Sequence, residues 1–364
     1  MTTTAPRPTL TGALRGRILK LAERVTTPLV PSDYLDVIDP LRAGATLRGR
    51  IAAIQPETAD AATLVIKPGR DWRAHVPGQY VRLGVDVDGV RQWRTYSLTS
   101  EINRSDGCFC ITVKAIDGGA VSNHLVRRAR IGTVLHLDQA AGDFTLGTSV
   151  PAEILFVTAG SGITPVMGML RNIPADSAAN IVVVHCAPTS DDVIFGAELR
   201  ALAADGRIRL VEIHTRKQGH LDIATLQSVV GDLTQRQTWA CGPAGLLETL
   251  ETHWAATGIT AQLHTERFRS PIVATGDGGT VTFSTSGTTI DSTGAESLLD
   301  AGEAAGVLMP SGCRMGICFG CVAPLRQGAV RDLRNGEITT ATPGDGVVIQ
   351  TCISAAAGAC DVEL

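Results

Sequence analysis

The sequence predicts a multidomain chain: an antiparallel β-barrel, then a doubly wound parallel α/β sheet, then a small α+β domain of β-grasp-like form. Three observations predict it. From Gly49 to Leu146, short β-type runs sit between clusters of Gly, Pro and Asp. From Pro151 to Phe268, apolar runs alternate with helical stretches. Beyond that, a strand-like and a helix-like segment lead into a compact cysteine-rich loop. The expected boundaries are a helical extension over 1–45, the barrel over 46–150, the α/β domain over 151–268, a linker over 269–279 and the last domain over 280–364.

A length of 364 residues suits two or three domains, and 44% apolar content is enough for separate cores. Charged residues are only 19% and the net charge is −4, which argues against a nucleic-acid partner. No run approaches the ~18 apolar residues of a membrane-spanning helix. Met1 to Pro8 lacks a secretory pattern. A cytoplasmic protein is expected, and its nine cysteines are then poor candidates for structural disulfides.

In the extension, Leu14, Ile18, Leu21 and Val25 follow a helical period, with Arg15, Arg17, Lys20 and Arg24 largely opposite. Thr27-Pro28 and Val30-Pro31 end such a helix. A basic helix over 10–26 can pack on the protein itself or rest on an anionic membrane, which would place the protein at the inner membrane face.

In the barrel region, Thr63–Ile66, Tyr80–Leu83 and Cys110–Val113 read as strands. Arg94-Thr95-Tyr96-Ser97 lies where one β run ends and another begins. An arginine clamps a pyrophosphate, a tyrosine packs on an aromatic ring, and a serine hydroxyl reaches a ring nitrogen. Alone the pattern is also that of a cross-strand surface pair. Its context is Val76-Pro77-Gly78-Gln79-Tyr80 upstream, then Lys114 and Gly118-Gly119-Ala120-Val121-Ser122-Asn123 downstream. The glycines admit a phosphate, and Ser122 can open a helix facing it.

In the α/β region, Ile154–Val157, Ile181–Val184, Ile208–Val211 and Gln237–Ala240 are buried-strand candidates, with helices over Ala197–Ala204 and Ala244–Thr257. Gly160-Ser161-Gly162-Ile163-Thr164-Pro165 follows the first strand and enters a helix, a ready anion site. Pro165 is tolerated in the first turn. Cys241-Gly242-Pro243 follows the fourth strand, and Glu266 and Phe268 close a strand over Gln262–Phe268.

In the last domain, Val281–Ser284 reads as a strand and Ala295–Ala305 as a helix. Cys313, Cys318 and Cys321 are spaced Cys-x4-Cys-x2-Cys, with Cys352 further on, the spacing of plant-type [2Fe–2S] ligands. Structural zinc tends to use two short knuckles, and only one is present. Cys108, Cys110, Cys186 and Cys360 have no partner pattern.

These motifs in this order resemble the ferredoxin–NADP reductase-like flavoproteins, here fused to a C-terminal plant-type ferredoxin. The resemblance implies an NAD(P)H-dependent oxidoreductase. Electrons would pass from NADPH or NADH through FAD and a [2Fe–2S] cluster to a protein acceptor. It implies flavin contacts for Arg94, Tyr96, Ser97, Lys114, Gly119, Val121 and Ser122. It implies pyridine-nucleotide contacts for Gly160, Gly162, Thr164, Pro165, Cys241, Gly242 and Pro243. Phe268 would join the cofactor-binding set, and Ser97, Cys241 and Glu266 would act at the reacting centre. Pro188 stands where NADP-using relatives often place an arginine, and Asp191 and Asp192 would repel a phosphate. Arg216 and Lys217 can supply the charge instead, or lie in a solvated turn. The segment with Thr27, Pro28, Leu29, Asp33, Tyr34 and Leu35 is similar to one in actinobacterial reductases of membrane di-iron acyl desaturases. The alternatives are a reductase component for a soluble ring- or acyl-CoA-oxidising oxygenase, and a redox sensor without turnover.

Overall fold

The structure is a computed structural model and describes residues 31–364 apart from 88, 103, 269–273, 313, 317 and 318. The expected helix over 10–26 and two of the four candidate cluster cysteines, Cys313 and Cys318, lie outside the described residues. A short helix α1 (Pro31–Ile38) precedes the first sheet.

That sheet uses β1 (Arg48–Thr58), β2 (Ala61–Pro68), β3 (Tyr80–Val87), β4 (Val90–Ser97), β5 (Phe109–Lys114) and β6 (Val134–Leu137). Their order is β4-β3-β6-β1-β2-β5, with every pairing antiparallel. A bridge between Leu98 and Ile111 joins its two ends, so the sheet closes as a barrel. Ile51, Leu64, Leu83, Ile111 and Leu135 fill it. Helix α2 (Ala120–Arg127) packs Val121 and Leu125 into the same core.

The second sheet is wholly parallel, in the order β11-β10-β7-β8-β9. Its strands are β7 (Glu153–Ala159), β8 (Asn180–Ala187), β9 (Arg209–His214), β10 (Gln237–Cys241) and β11 (Leu263–Glu266). Chain order reverses between β7 and β10, which makes their carboxyl ends the switch point where such sheets take ligands. Helices α3 (Ile163–Leu170), α4 (Gly196–Ala204), α5 (Thr215–Gln218), α6 (Ile223–Val230) and α7 (Ala244–Ala256) connect the strands. Alternate residues of β7 and β8 enter different cores: Phe156 and Val183 on one face, Leu155 and Val182 on the other. That two-sided burial is why both strands read as unbroken apolar runs. β11 is shorter than expected: Gln262 ends a 3-10 turn, and the Arg267 guanidinium reaches Glu251 at 2.6 Å.

The third sheet is mixed, in the order β13-β12-β17-β14-β15, with β16 also on β14. It comprises β12 (Gly279–Phe283), β13 (Thr288–Ser292), β14 (Val322–Asp332), β15 (Ile338–Ala341), β16 (Val348–Gln350) and β17 (Ser354–Val362). Helix α8 (Leu298–Ala304) starts three residues later than the sequence suggests. Ser297 caps it, its hydroxyl accepting from the Asp300 N–H at 3.1 Å, so residues 295–297 stay outside the helix.

Candidate functional site

One cleft of about 1220 Å³ is walled by all three domains. The barrel supplies Arg94, Tyr96 and Ser97 at the end of β4, and Lys114, Gly119, Val121 and Ser122 beside the start of α2. The parallel-sheet domain supplies Ser161, Thr164 and Phe268. The last domain closes it with α8, Met309, Arg314 and Cys352.

Arg94 is a cation without a carboxylate partner among the described residues. Its guanidinium donates only to the Trp93 carbonyl at 2.8 Å and to Gln92 Oε1 at 3.2 Å. Burial, then repulsion from Arg314, pulls its pKa down to about 10. Ser97 is 4% exposed, and its hydroxyl has no hydrogen-bond partner among the described residues. Burial raises the Tyr96 phenol, which stays neutral. A half-buried arginine in need of an anion, an orphaned hydroxyl and a helix start at Gly119–Ala120 fit a flavin dinucleotide. Two expectations shift. Lys114 gives its ammonium to both carboxylate oxygens of Asp60 at 2.6 Å, so its charge is already engaged. Helix α2 begins at Ala120 rather than Ser122, and the Ser122 hydroxyl ties the loop by donating to the Gly119 carbonyl at 3.3 Å. Arg94→Ala should therefore weaken retention of FAD by about tenfold or more, read as flavin lost on dialysis, because the other described cations of the cleft, Arg91, Lys114 and Arg314, are each paired with a carboxylate.

At the switch point, Thr158 and Cys241 are register partners on β7 and β10, which brings the two glycine loops together. Gly162 is there because a Cβ would lie 2.0 Å from the Cys241 carbonyl oxygen. Gly160 differs: it has φ +54° and open space beyond it. Thr164 donates to the Ser161 carbonyl at 2.9 Å, and Pro165 is buried in the first turn of α3. Pro243 accepts from the Leu246 N–H at 3.1 Å at the start of α7, which fixes Gly242 between two strand ends. Cys241 is fully buried, and burial, then Glu266, pushes its thiol well above the usual range. That suits positioning, not nucleophilic attack.

Glu266 is the register partner of Cys241. Burial raises its pKa to about 8, and Oε2 has no hydrogen-bond partner among the described residues. The unfolded chain ionises near 4.5, so stability is full below that value and is lost as pH rises through 8. Glu266→Gln should match the wild type in urea unfolding at pH 4 and exceed it at pH 9. Phe268 is 40% exposed and lines the cleft. Arg216 and Lys217 stand apart from this cleft, exposed on α5 beyond β9, where the Arg216 N–H donates to the Pro188 carbonyl at 3.2 Å.

Cys321 and Cys352 are buried with their sulfurs 3.1 Å apart, well beyond a disulfide bond of about 2.05 Å. Hydrogen bonding to Cys352 lowers the Cys321 thiol, despite burial. Two buried sulfurs converging on one point, with the Cys321 thiol tuned toward the thiolate, suit an iron–sulfur cluster. Thr351 fixes the pair, its hydroxyl donating to the Cys321 carbonyl at 3.0 Å. Cys110, Cys186 and Cys360 are buried elsewhere and Cys108 is half-buried. Sequence reasoning missed the α8 wall and Arg314. The only available signal was the position of Arg314 directly after Cys313.

Comparison with known proteins covers all three domains. Residues 59–146 match the oxidoreductase FAD-binding domain, 156–252 the oxidoreductase NAD-binding domain, and 281–357 the 2Fe-2S iron-sulfur cluster binding domain. An "NADPH oxidoreductase" of Mycobacterium tuberculosis (strain ATCC 25618 / H37Rv) is 47% identical over 98% of this chain and 96% of its own length. The "3-ketosteroid-9-alpha-monooxygenase, ferredoxin reductase component" of Mycobacterium tuberculosis (strain CDC 1551 / Oshkosh) is 30% identical over 82% of this chain and 90% of its own. The "glycine betaine monooxygenase reductase subunit" of Pseudomonas aeruginosa (strain UCBPP-PA14) is 29% identical over 76% and 84%. Among solved structures, phthalate dioxygenase reductase aligns with TM-score 0.58 over 87% of this chain and 97% of its own, at 21% identity, and so shares the fold. With an antiparallel FAD-binding barrel, a parallel NAD-binding sheet and a C-terminal 2Fe–2S domain in one polypeptide, the chain belongs to the ferredoxin reductase-like flavin and iron–sulfur oxidoreductases.

Proposed function

We propose that the chain draws electron pairs from NADPH and delivers single electrons to a membrane di-iron fatty-acid (acyl-CoA) desaturase or related hydroxylase. The observation that carries the electron path is the shared cleft, in which Ser97, Thr164 and Cys352 face one space. FAD, when bound, supplies the exchange between paired and single electrons. The chain's own residues bind and orient. Arg94 and the first turn of α2 hold the diphosphate. Tyr96 and Phe268 cover the ring, and the free Ser97 hydroxyl offers it a hydrogen bond. Gly160, Gly162, Thr164, Pro165, Cys241, Gly242 and Pro243 shape the nicotinamide floor, with the Glu266 carboxyl beside Cys241. Cys313, Cys318, Cys321 and Cys352 hold the cluster.

For the donor, Arg216 and Lys217 have no ion-pair partner among the described residues, and their charge suits an additional phosphate. The name of the 47%-identical relative agrees. For the acceptor, the segment from Thr27 to Leu35 supports the desaturase. No described helix is long and apolar enough to cross a membrane; the membrane contact we propose is peripheral, through the basic segment over 10–26. A second reading, the reductase component of a ring- or acyl-CoA-oxidising oxygenase, is favoured by the names of the relatives near 30% identity. The test is reconstitution with NADPH. Turnover of a membrane desaturase with no turnover of a soluble oxygenase supports the first reading, and the reverse supports the second. Steady-state rates with NADH and NADPH test the donor.

A further inference from the structure

An ion-pair network spans the carboxyl ends of β8 and β9. Glu212 on β9 has both carboxylate oxygens engaged. Oε1 accepts from Arg200 Nε at 2.8 Å, and Oε2 accepts from Arg200 Nη2 at 3.0 Å and pairs with His214 Nε2 at 3.0 Å. Arg200, on α4, also donates through Nη2 to the Ser190 hydroxyl at 2.9 Å and to its carbonyl at 3.3 Å. Ser190 begins the 3-10 turn in the loop after β8. That loop is tied to the turn after β9, where Arg216 and Lys217 sit, by the Arg216 N–H on the Pro188 carbonyl at 3.2 Å. Asp192 is drawn aside, its carboxylate accepting from the Thr189 hydroxyl at 2.7 Å.

A carboxylate near the strand ends of such a sheet accepts hydrogen bonds from a ribose diol and repels a phosphate there. Glu212 would do this were it free, but Arg200 occupies both of its oxygens. Arg200 keeps Nη1 without a hydrogen-bond partner among the described residues, on a side chain 45% exposed. We propose that Arg200 is a specificity-determining residue for the donor: by neutralising Glu212 and pinning Ser190, it makes this edge accept a phosphomonoester on the donor's adenosine ribose. This rests on the NADPH reading above and names the residue that permits it. The cations that meet the phosphate are Arg216 and Lys217, and Arg200 acts by removing the opposing charge.

The test is calorimetric binding of adenosine 2′,5′-bisphosphate and of AMP to the flavin-loaded protein. The wild type should bind the bisphosphate at least about tenfold tighter than AMP. Arg200→Met should lose about tenfold for the bisphosphate and leave AMP unchanged. Arg200→Met combined with Glu212→Gln should regain most of the loss, and Arg200→Lys should retain the preference. Wild type that binds both probes alike overturns the NADPH reading itself. Wild type that discriminates, with Arg200→Met unchanged, overturns only the assignment of Arg200. Loss in Arg200→Met without recovery in the double variant also overturns it. Equal thermal midpoints for Glu212→Gln and wild type show that the pair can be opened without unfolding the domain.

Discussion

Replacing Cys321 or Cys352 with serine should give a yellow protein that still reduces ferricyanide with NADPH. Its cytochrome c reduction should be lower by at least about a hundredfold. The two sulfurs are 3.1 Å apart, buried, and backed by Thr351, so loss of either leaves the other without its partner thiolate. Cys352 forms the wall between the flavin cleft and the C-terminal core, while Cys321 packs inside that core. The barrel and the parallel sheet have cores of their own that contain neither cysteine, so they should keep their flavin and donor sites. Ferricyanide takes electrons from flavin directly, and cytochrome c reads the cluster outlet. Equal loss of both activities would mean that the cysteines support the whole fold rather than one step.

Gly162→Ala should reduce the rate of flavin reduction by NADPH by about a hundredfold while leaving chemical reduction of flavin and cluster intact. The new Cβ would lie 2.0 Å from the Cys241 carbonyl oxygen and 2.5 Å from its carbon. Both are main-chain atoms, which cannot swing aside like the end of a side chain. The loops after β7 and β10 must separate, at about 1–3 kcal/mol of strain. Gly160→Ala is the control. Open space surrounds that position, and only φ +54° opposes a side chain, so its cost is nearer about 1 kcal/mol. Stopped-flow bleaching of the flavin on mixing with NADPH separates the two. Equal effects would show that crowding against Cys241 is not what fixes Gly162.

The parallel sheet was legible because β7 and β8 bury both faces, so Ile154–Val157 and Ile181–Val184 stand out as apolar runs. The barrel was legible in β2, β3 and β5, where Thr63–Ile66, Tyr80–Leu83 and Cys110–Val113 read as strands. It was not legible in β1, where Pro56 and shifts of register between Ile51 and Ala53 and between Pro56 and Thr58 break the alternation. β17 was hidden by its small residues: Ala355, Ala356 and Gly358 carry little β-propensity, and pairing with β12 and β14 is what extends them. Residues contiguous in a motif, such as Arg94, Tyr96 and Ser97, could be read as one group. Their meeting with Cys352, more than two hundred residues along the chain, depends on how three domains close on one cleft. The Arg200–Glu212 pair left no pattern either, because a helix residue and a strand residue twelve positions apart become partners only when α4 packs on β9. The engagement of Lys114 by Asp60 was hidden for the same reason.

The most direct test of a flavin and a cluster serving one cleft is an anaerobic dithionite titration of the purified protein, followed in the visible and by electron paramagnetic resonance. Uptake of about three electrons per chain, two by FAD and one by a [2Fe–2S] centre that then becomes paramagnetic, is the predicted result. Uptake of only two electrons with no paramagnetic iron signal, from protein made with ample iron, would contradict it.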